Sequence, residues 1–410
     1  MLAPADFKRT KIVGNIATLF SGSVVSQVMT ALALLFTARQ LNANGYGQYA
    51  ACIAIASLSS IGFSLGMDIW LLREGGRATH GLGELVGSVL GIKGMIGIVW
   101  MLLFSLLAPL LNQDTYPTTL LKWSVLLIWL DTLIATTLTG FKAALENKVP
   151  AILEASADFV WFALTLLLIF VGVKQPEIYI QLRVLVSSLA LFTALLFLKR
   201  FVGVHFNIEV VRIALKKAFP YATSEFLGMV TLRADVVILG LTLGEYATGV
   251  YSPAVGLINM ALLVPMTVYM VMVPVLGNLY RNHPVQAKKS SIRTIGLLIV
   301  IGIGLMLLFF VGSPLIVIIL GPTYQASLSV LRILSFVLLF KCVSFSMAAI
   351  IVATDKQGTR TVAQTIAAAA NIGLNLAVVY RLGVNGVAGV YVITEIILLI
   401  GYTWIVWKKR

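Results

Sequence analysis

A chain of 410 residues that is 59% hydrophobic and only 11% charged, with a mean hydropathy of +0.98, does not read as a water-soluble globule. The formal net charge of +14 does not mark a nucleic-acid-binding protein either, because the cations stand in small clusters beside apolar segments rather than on one basic surface. The composition is that of a polytopic membrane protein whose basicity belongs to the membrane.

The first apolar segment, near 12–37, follows a short basic lead of Lys8, Arg9 and Lys11. At roughly 26 residues it is too long for the apolar region of a cleaved signal peptide and is expected to remain as the first membrane helix. Further spans are expected near 48–71, 85–111, 119–140, 150–172, 179–198, 219–242, 249–278, 294–320, 329–352, 362–382 and 386–407. Each is long enough to cross about 30 Å of hydrocarbon at 1.5 Å per residue. All connections are short. The longest runs from Lys199 to Ala218, carries Lys199, Arg200, Arg212, Lys216 and Lys217, and falls at mid-chain. It is the expected linker between an N-terminal six-helix bundle of residues 1–205 and a C-terminal one of residues 206–410.

Numbering the spans in order places nearly all loop lysines and arginines at the termini and in the loops that follow even-numbered spans. Only Arg39, Lys122, Lys174 and Arg381 flank the other face. Positive charge is retained on the cytoplasmic side during insertion, so both termini are expected there.

The two halves echo each other. Leu41, Gly45, Gly47 and Tyr49 lead into span two, and Leu243, Ala247, Gly249 and Tyr251 lead into span eight, at one offset of 202. Weaker echoes pair Glu146 with Asp355 and Gly172 with Gly383. The offset joins span one to span seven, so the expected repeat is parallel, a plan that transporters use to rock two bundles about a central site.

Leu41-Asn42-Ala43-Asn44-Gly45-Tyr46-Gly47-Gln48-Tyr49, then Gly66-Met67-Asp68 and Arg73-Glu74, resembles the bacterial polysaccharide-biosynthesis and O-antigen-unit flippases. Arg233-Ala234-Asp235-Val236-Val237-Ile238-Leu239-Gly240 in span seven adds to the resemblance. Their superfamily also holds multidrug and toxin exporters and lipid II flippases. The resemblance implies an all-α integral membrane fold of about twelve transmembrane helices, in two parallel-repeat six-helix bundles around a central cavity. It implies translocation of an undecaprenyl-diphosphate-linked oligosaccharide from the cytoplasmic to the periplasmic leaflet of the bacterial inner membrane by alternating access. Expected partners are that lipid-linked oligosaccharide, membrane lipids, and a polysaccharide polymerase and chain-length regulator; no nucleic acid is expected.

Such a substrate needs a polar, cationic path, and ionisable residues within spans are costly enough to be functional candidates. Lys93, Arg233 and Lys341 lie nearest mid-membrane depth and are the candidates for the diphosphate and cavity. Arg183 and Arg332 fall near span ends, where snorkelling to the interface accounts for them. Among the acids, Glu225, Asp235, Glu154, Asp158 and Asp131 are candidates for ion coupling or for ion pairs inside the cavity, and Asp68 and Glu395 are also in spans. Glu154 and Asp158, four apart, share a helix face. Without a cation between them, one is expected to titrate.

Punctuation points to moving parts. Pro253, Pro265 and Pro274 are expected to bend or interrupt span eight. Gly83, Gly87 and Gly91 form a stripe expected to admit a neighbouring helix closely. Trp70, Trp123, Trp404 and Trp407 read as interface anchors.

No catalytic residue, cofactor or metal is expected. The chain lacks a P-loop, and His80, His205 and His283 are far apart without ligand spacing. Cys52 and Cys342 lie in spans and read as packing residues. Two alternatives are weighed against the flippase. A cation-coupled multidrug exporter of the same superfamily favours an anionic cavity, commonly with an acid in the first helix; span one offers only Asn15, Ser21, Ser23, Ser26 and Gln27. A membrane glycan polymerase or glycosyltransferase needs groups on a periplasmic loop, where this chain has only Asp114, Glu177 and Glu245. Lipid II flippases are longer by two helices and richer in arginine in their first helices.

Overall fold

The computed structural model describes residues 4–75, 81–144 and 146–407, with side chains from Gly22 onward except Pro220 and Ser224. Lys8, Arg9, Lys11, Asn15, Ser21 and His80 therefore lie outside the described side chains. Among the described residues every regular element is helical: α1 (Pro4–Ser59), α2 (Ile61–Ser64), α3 (Met67–Gly75), α4 (Leu82–Leu107), α5 (Thr118–Ala143), α6 (Lys148–Phe170), α7 (Pro176–Val202), α8 (Ile208–Thr242), α9 (Gly244–Ala261), α10 (Leu263–Asn282), α11 (Pro284–Gly312), α12 (Pro314–Leu320), α13 (Gln325–Ala353) and α14 (Gln357–Trp407). Two short 3-10 turns follow α4 and α12.

Among these residues nine segments are long and apolar enough to cross a membrane. Two of them hold two expected spans each, because α1 is broken at Asn42 (φ 57°, ψ 177°) and α14 at Gly383 (φ 58°, ψ −146°). With α8 as the seventh span, the twelve expected crossings are all accounted for. Backbone at these angles is reached readily only by glycine, which has no Cβ to clash. The repeat is visible at such turns: Asn42 corresponds to Gly244 (φ 81°), and Gly172 (φ 81°) to Gly383.

The chain divides into two compact units, Met1–Leu41 with Ala51–Met229, and Asn42–Ala50 with Val230–Arg410. The first has a core of Met67, Trp70, Leu71, Leu85, Val86, Phe141 and Leu198, on which Val210, Ala214 and Ala218 of α8 are packed. The second is built on Leu276, Met347, Ile350, Ile351, Tyr402 and Ile405. Inside it, a Cβ added to Gly47 would lie 1.8 Å from the carbonyl oxygen of Glu245, and one added to Gly249 would lie 1.8 Å from that of Ala43.

Span eight is discontinuous as its prolines require: it breaks at Leu262 between α9 and α10, with Pro265 in the first turn of α10 and Pro253 and Pro274 inside the helices. Two expectations change. The element lying on the Gly83 and Gly87 stripe is an irregular strap, residues 203–207, and not a helix; its Gly203 and His205 carbonyl oxygens occupy the space a Cβ would need. Trp70 is buried in the first unit's core instead of anchoring the interface, whereas Trp404 and Trp407 are exposed. Cys52 and Cys342 are free and buried.

Candidate functional site

The first unit carries two polar clusters. Lys93 on α4 is fully buried, its Nζ 2.8 Å from Asp68 Oδ1 on α3 and 2.9 Å from the Thr136 hydroxyl on α5, which itself lies 2.6 Å from Asp68 Oδ1. Gly97 leaves room for the Trp129 indole, which donates to the Lys93 carbonyl at 3.1 Å. Nearby in sequence, Leu65 and Gly66 are both left-handed and separate α2 from α3. At that break the Ser64 hydroxyl donates to Glu225 of α8 at 2.5 Å, and Arg73 donates to Tyr221 at 2.6 Å.

The second cluster lines a cavity of about 200 Å³ between α5, α6 and α7, with Asp131, Glu154, Asp158, Arg183 and Ser187 in its wall. Arg183 donates to Asp158 at 2.6 Å and lies 4.2 Å over the Trp161 ring; the Ser26 hydroxyl also donates to Asp158. Glu154 meets Lys142 at 3.4 Å, and Asp131 accepts from Ser187 at 3.0 Å. Although Glu154 and Asp158 share a face, each has its own cation. Arg183 points into this cluster and does not simply snorkel.

In the second unit Asp235 is buried between Tyr251 of α9 and Asn375 of α14, both donating to it at 2.8 Å; Asn375 also donates to Asn371 at 3.1 Å. Lys341 of α13 meets Glu395 of α14 at 2.6 Å, 5.6 Å from the Tyr391 ring centroid. Asn375 Oδ1 and Glu395 Oε2 are buried acceptors without a hydrogen-bond donor among the described residues. This arrangement is acceptor-rich, and its oxygens suit a proton or a hard cation. Among the described residues no group of three or more His, Cys, Asp and Glu side chains has metal-site geometry.

Arg233 differs from the other deep cations. It is two residues from Asp235 on α8 and faces elsewhere, beside Tyr46 and Tyr49, whose rings stack at 5.8 Å. Its Nε is buried without a hydrogen-bond partner, and no ion pair to it is present among the described residues. Lys93, Arg183 and Lys341 each sit on a carboxylate, while Arg332 is exposed and donates to Ser313 at 2.9 Å. The structure thus gathers Asp131, Glu154 and Asp158 around one cavity. It groups Asp235 with Lys341's partner Glu395, sets Lys93 and Glu225 on the α3 side of the first unit, and leaves Arg233 by the Asn42–Ala50 turn.

Sequence reasoning missed Asn371, Asn375, Tyr251 and Thr136. The asparagines carried a readable signal, two amides four apart in an apolar span and therefore on one face.

By fold, the chain is similar to the lipid II flippase MurJ in an inward closed conformation, at 18% identity over 94% of this chain and 87% of that one, with a TM-score of 0.76. It is similar to an inward-facing multidrug resistance MATE family transporter of the MOP superfamily at 15% identity over 92% and 93%, with a TM-score of 0.73. A Vibrio cholerae MATE transporter matches at 14% identity over 98% and 99%, with a TM-score of 0.63. No curated protein matches the chain by sequence. Residues 12–280 match the sequence profile of a family described as polysaccharide biosynthesis protein.

Proposed function

The chain belongs to the polysaccharide biosynthesis protein family, and from that premise we propose that it is a flippase for undecaprenyl-diphosphate-linked oligosaccharide, an O-antigen or related unit. It works by alternating access of two parallel-repeat bundles, residues 1–205 and 206–410, in the bacterial inner membrane with both termini cytoplasmic. The observation that carries this reading is Arg233. An arginine whose Nε is buried without a partner, and which meets no carboxylate among the described residues, is costly to keep in a membrane protein unless an anion arrives to meet it. A diphosphate supplies several acceptor oxygens for charge-assisted hydrogen bonds.

Lys341 joins Arg233 in receiving the diphosphate by exchanging its Glu395 partner, and Lys93 supports the path from the α3 side. Asp235, with the unsatisfied acceptors of Asn375 and Glu395 nearby, carries ion coupling, because occupancy by a proton or cation changes the charge of the second unit's interior. Glu225, Glu154, Asp158 and Asp131 are secondary candidates for coupling. The polymerase and chain-length regulator are the protein partners this reading expects.

The test is translocation by purified protein in liposomes, comparing a polyprenyl-diphosphate oligosaccharide with a cationic dye, with and without proton or sodium gradients. Movement of the glycan lipid, lost in Arg233→Gln and partly kept in Arg233→Lys, is the expected result. Gradient-driven dye efflux without glycan movement would overturn the reading in favour of the exporter.

A further inference from the structure

The segment after α7 is held in place by unusual means. The Ser88 hydroxyl on α4 donates to the Asn207 carbonyl at 3.1 Å and accepts from the Asn207 amide at 3.0 Å, while the His205 amide donates to the Gly83 carbonyl at 3.2 Å. Glycines at 83 and 87 let the strap lie directly on the helix backbone. The Asn207 side chain then accepts from the Glu209 amide at 2.9 Å and caps the start of α8. The start of the following helix is therefore held by hydrogen bonds from both backbone and side-chain groups.

That helix start has two opposed faces. Val210, Ala214 and Ala218, four apart, are buried in the first unit's core. Ile208, Arg212, Leu215, Lys216 and Phe219 recur at the complementary spacing and are all exposed, and Lys217 is exposed beside them. Phe201, Phe206, Lys199 and Arg200 add exposed aromatic and basic groups at the end of α7 and in the strap. An outward face that mixes aliphatic and aromatic side chains with five cations is uncomfortable in water and equally so in hydrocarbon. It matches the boundary where acyl chains meet headgroups. The length of α8 agrees. Its 35 residues, at about 1.5 Å each, exceed the hydrocarbon thickness, so part of the helix must lie outside it, and the basic stretch before Phe219 is the part suited to the headgroup layer.

We propose that the strap and the first three turns of α8 form a docking surface for anionic phospholipid headgroups. Ile208, Leu215 and Phe219 enter the acyl boundary, and Arg212, Lys216 and Lys217 take the phosphates. Charge complementarity selects the occupant: Glu209 is the one acid on this stretch of the helix, against three cations.

The test uses the full chain with Leu215→Cys carrying a fluorophore; Cys52 and Cys342 are buried, so the label goes to position 215. The protein is reconstituted in vesicles of phosphatidylcholine with either brominated phosphatidylglycerol or brominated phosphatidylcholine, and quenching by the two is compared. Quenching several-fold stronger by the anionic lipid at low salt, falling toward parity at high salt, is expected. The preference is also expected to vanish in a variant with Arg212, Lys216 and Lys217 changed to Gln. The salt series on the unsubstituted basic cluster keeps the test valid where that variant fails to fold. Equal quenching by both lipids at low salt would overturn the proposal. So would absence of quenching by either, which would leave this face to a protein partner. Neither result bears on which substrate is flipped.

Discussion

Gly47 and Gly249 make one contact twice. Each lies against the backbone of the other's turn, Gly47 on the carbonyl of Glu245 and Gly249 on that of Ala43, and the repeat offset that relates the glycines also relates their partners. The contact is self-complementary in the way an isologous interface is, a structural signature of a parallel duplication. Alanine at either glycine forces a backbone shift. Gly47→Ala and Gly249→Ala are each expected to destabilise by about 1–3 kcal/mol or more, and by similar amounts. The double variant should cost less than the sum, since the first methyl already opens the gap. Thermal unfolding in detergent measures all three.

Asn42 and Gly244 occupy equivalent turns with positive φ, but only one is glycine. Asn42→Gly is expected to stabilise by about 1 kcal/mol, relief of a strained non-glycine backbone outweighing the added freedom of the unfolded chain. Gly244→Ala is expected to destabilise by at least as much. Opposite shifts in melting temperature check the pair.

The strap gives a proteolytic prediction. Gly87→Ala places a Cβ 2.3 Å from the His205 carbonyl oxygen and should displace the strap. Cleavage by trypsin at Lys199 and Arg200 should accelerate several-fold. Ser88→Ala removes two hydrogen bonds without a clash, worth about 1–3 kcal/mol together, and should give a smaller acceleration.

Lys93 and Asp68 form a pair with unequal exposure, 0% and 24% of the side chains. Lys93→Met strands the carboxylate and is expected to cost roughly 3 kcal/mol, the low end for a broken buried pair because solvent reaches Asp68. Combining it with Asp68→Asn should recover much of that loss. Chemical denaturation of the single and double variants measures the coupling.

Asp235 accepts from both Tyr251 and Asn375, so Asp235→Asn keeps the shape of the cluster and removes its charge. Glycan-lipid translocation by this variant is expected to lose its acceleration by an imposed ion gradient while the movement without a gradient persists. Transport assays with and without the gradient decide it; unchanged acceleration would move coupling to another acid.

Much of this protein was legible before any coordinates. Runs of apolar residues and the placement of Lys and Arg gave the twelve crossings, because helix length and insertion energy are local properties of the chain. Pro253, Pro265 and Pro274 together marked span eight as bent or interrupted, and the echo at Gly47 and Gly249 marked the duplication. What the sequence could not state was which charges meet. Lys93 joined Asp68, Arg183 joined Asp158 and Lys341 joined Glu395, each pair brought together from different helices. Only packing settles such choices, since helical periodicity tells which residues share a face and not which face they oppose. The same reason hid the strap on Gly83 and Gly87, where small residues announced a close approach without naming the partner. It also set Arg233 apart: its charge was plain in the sequence, and its lack of a counter-ion among the described residues was decided by the tertiary fold.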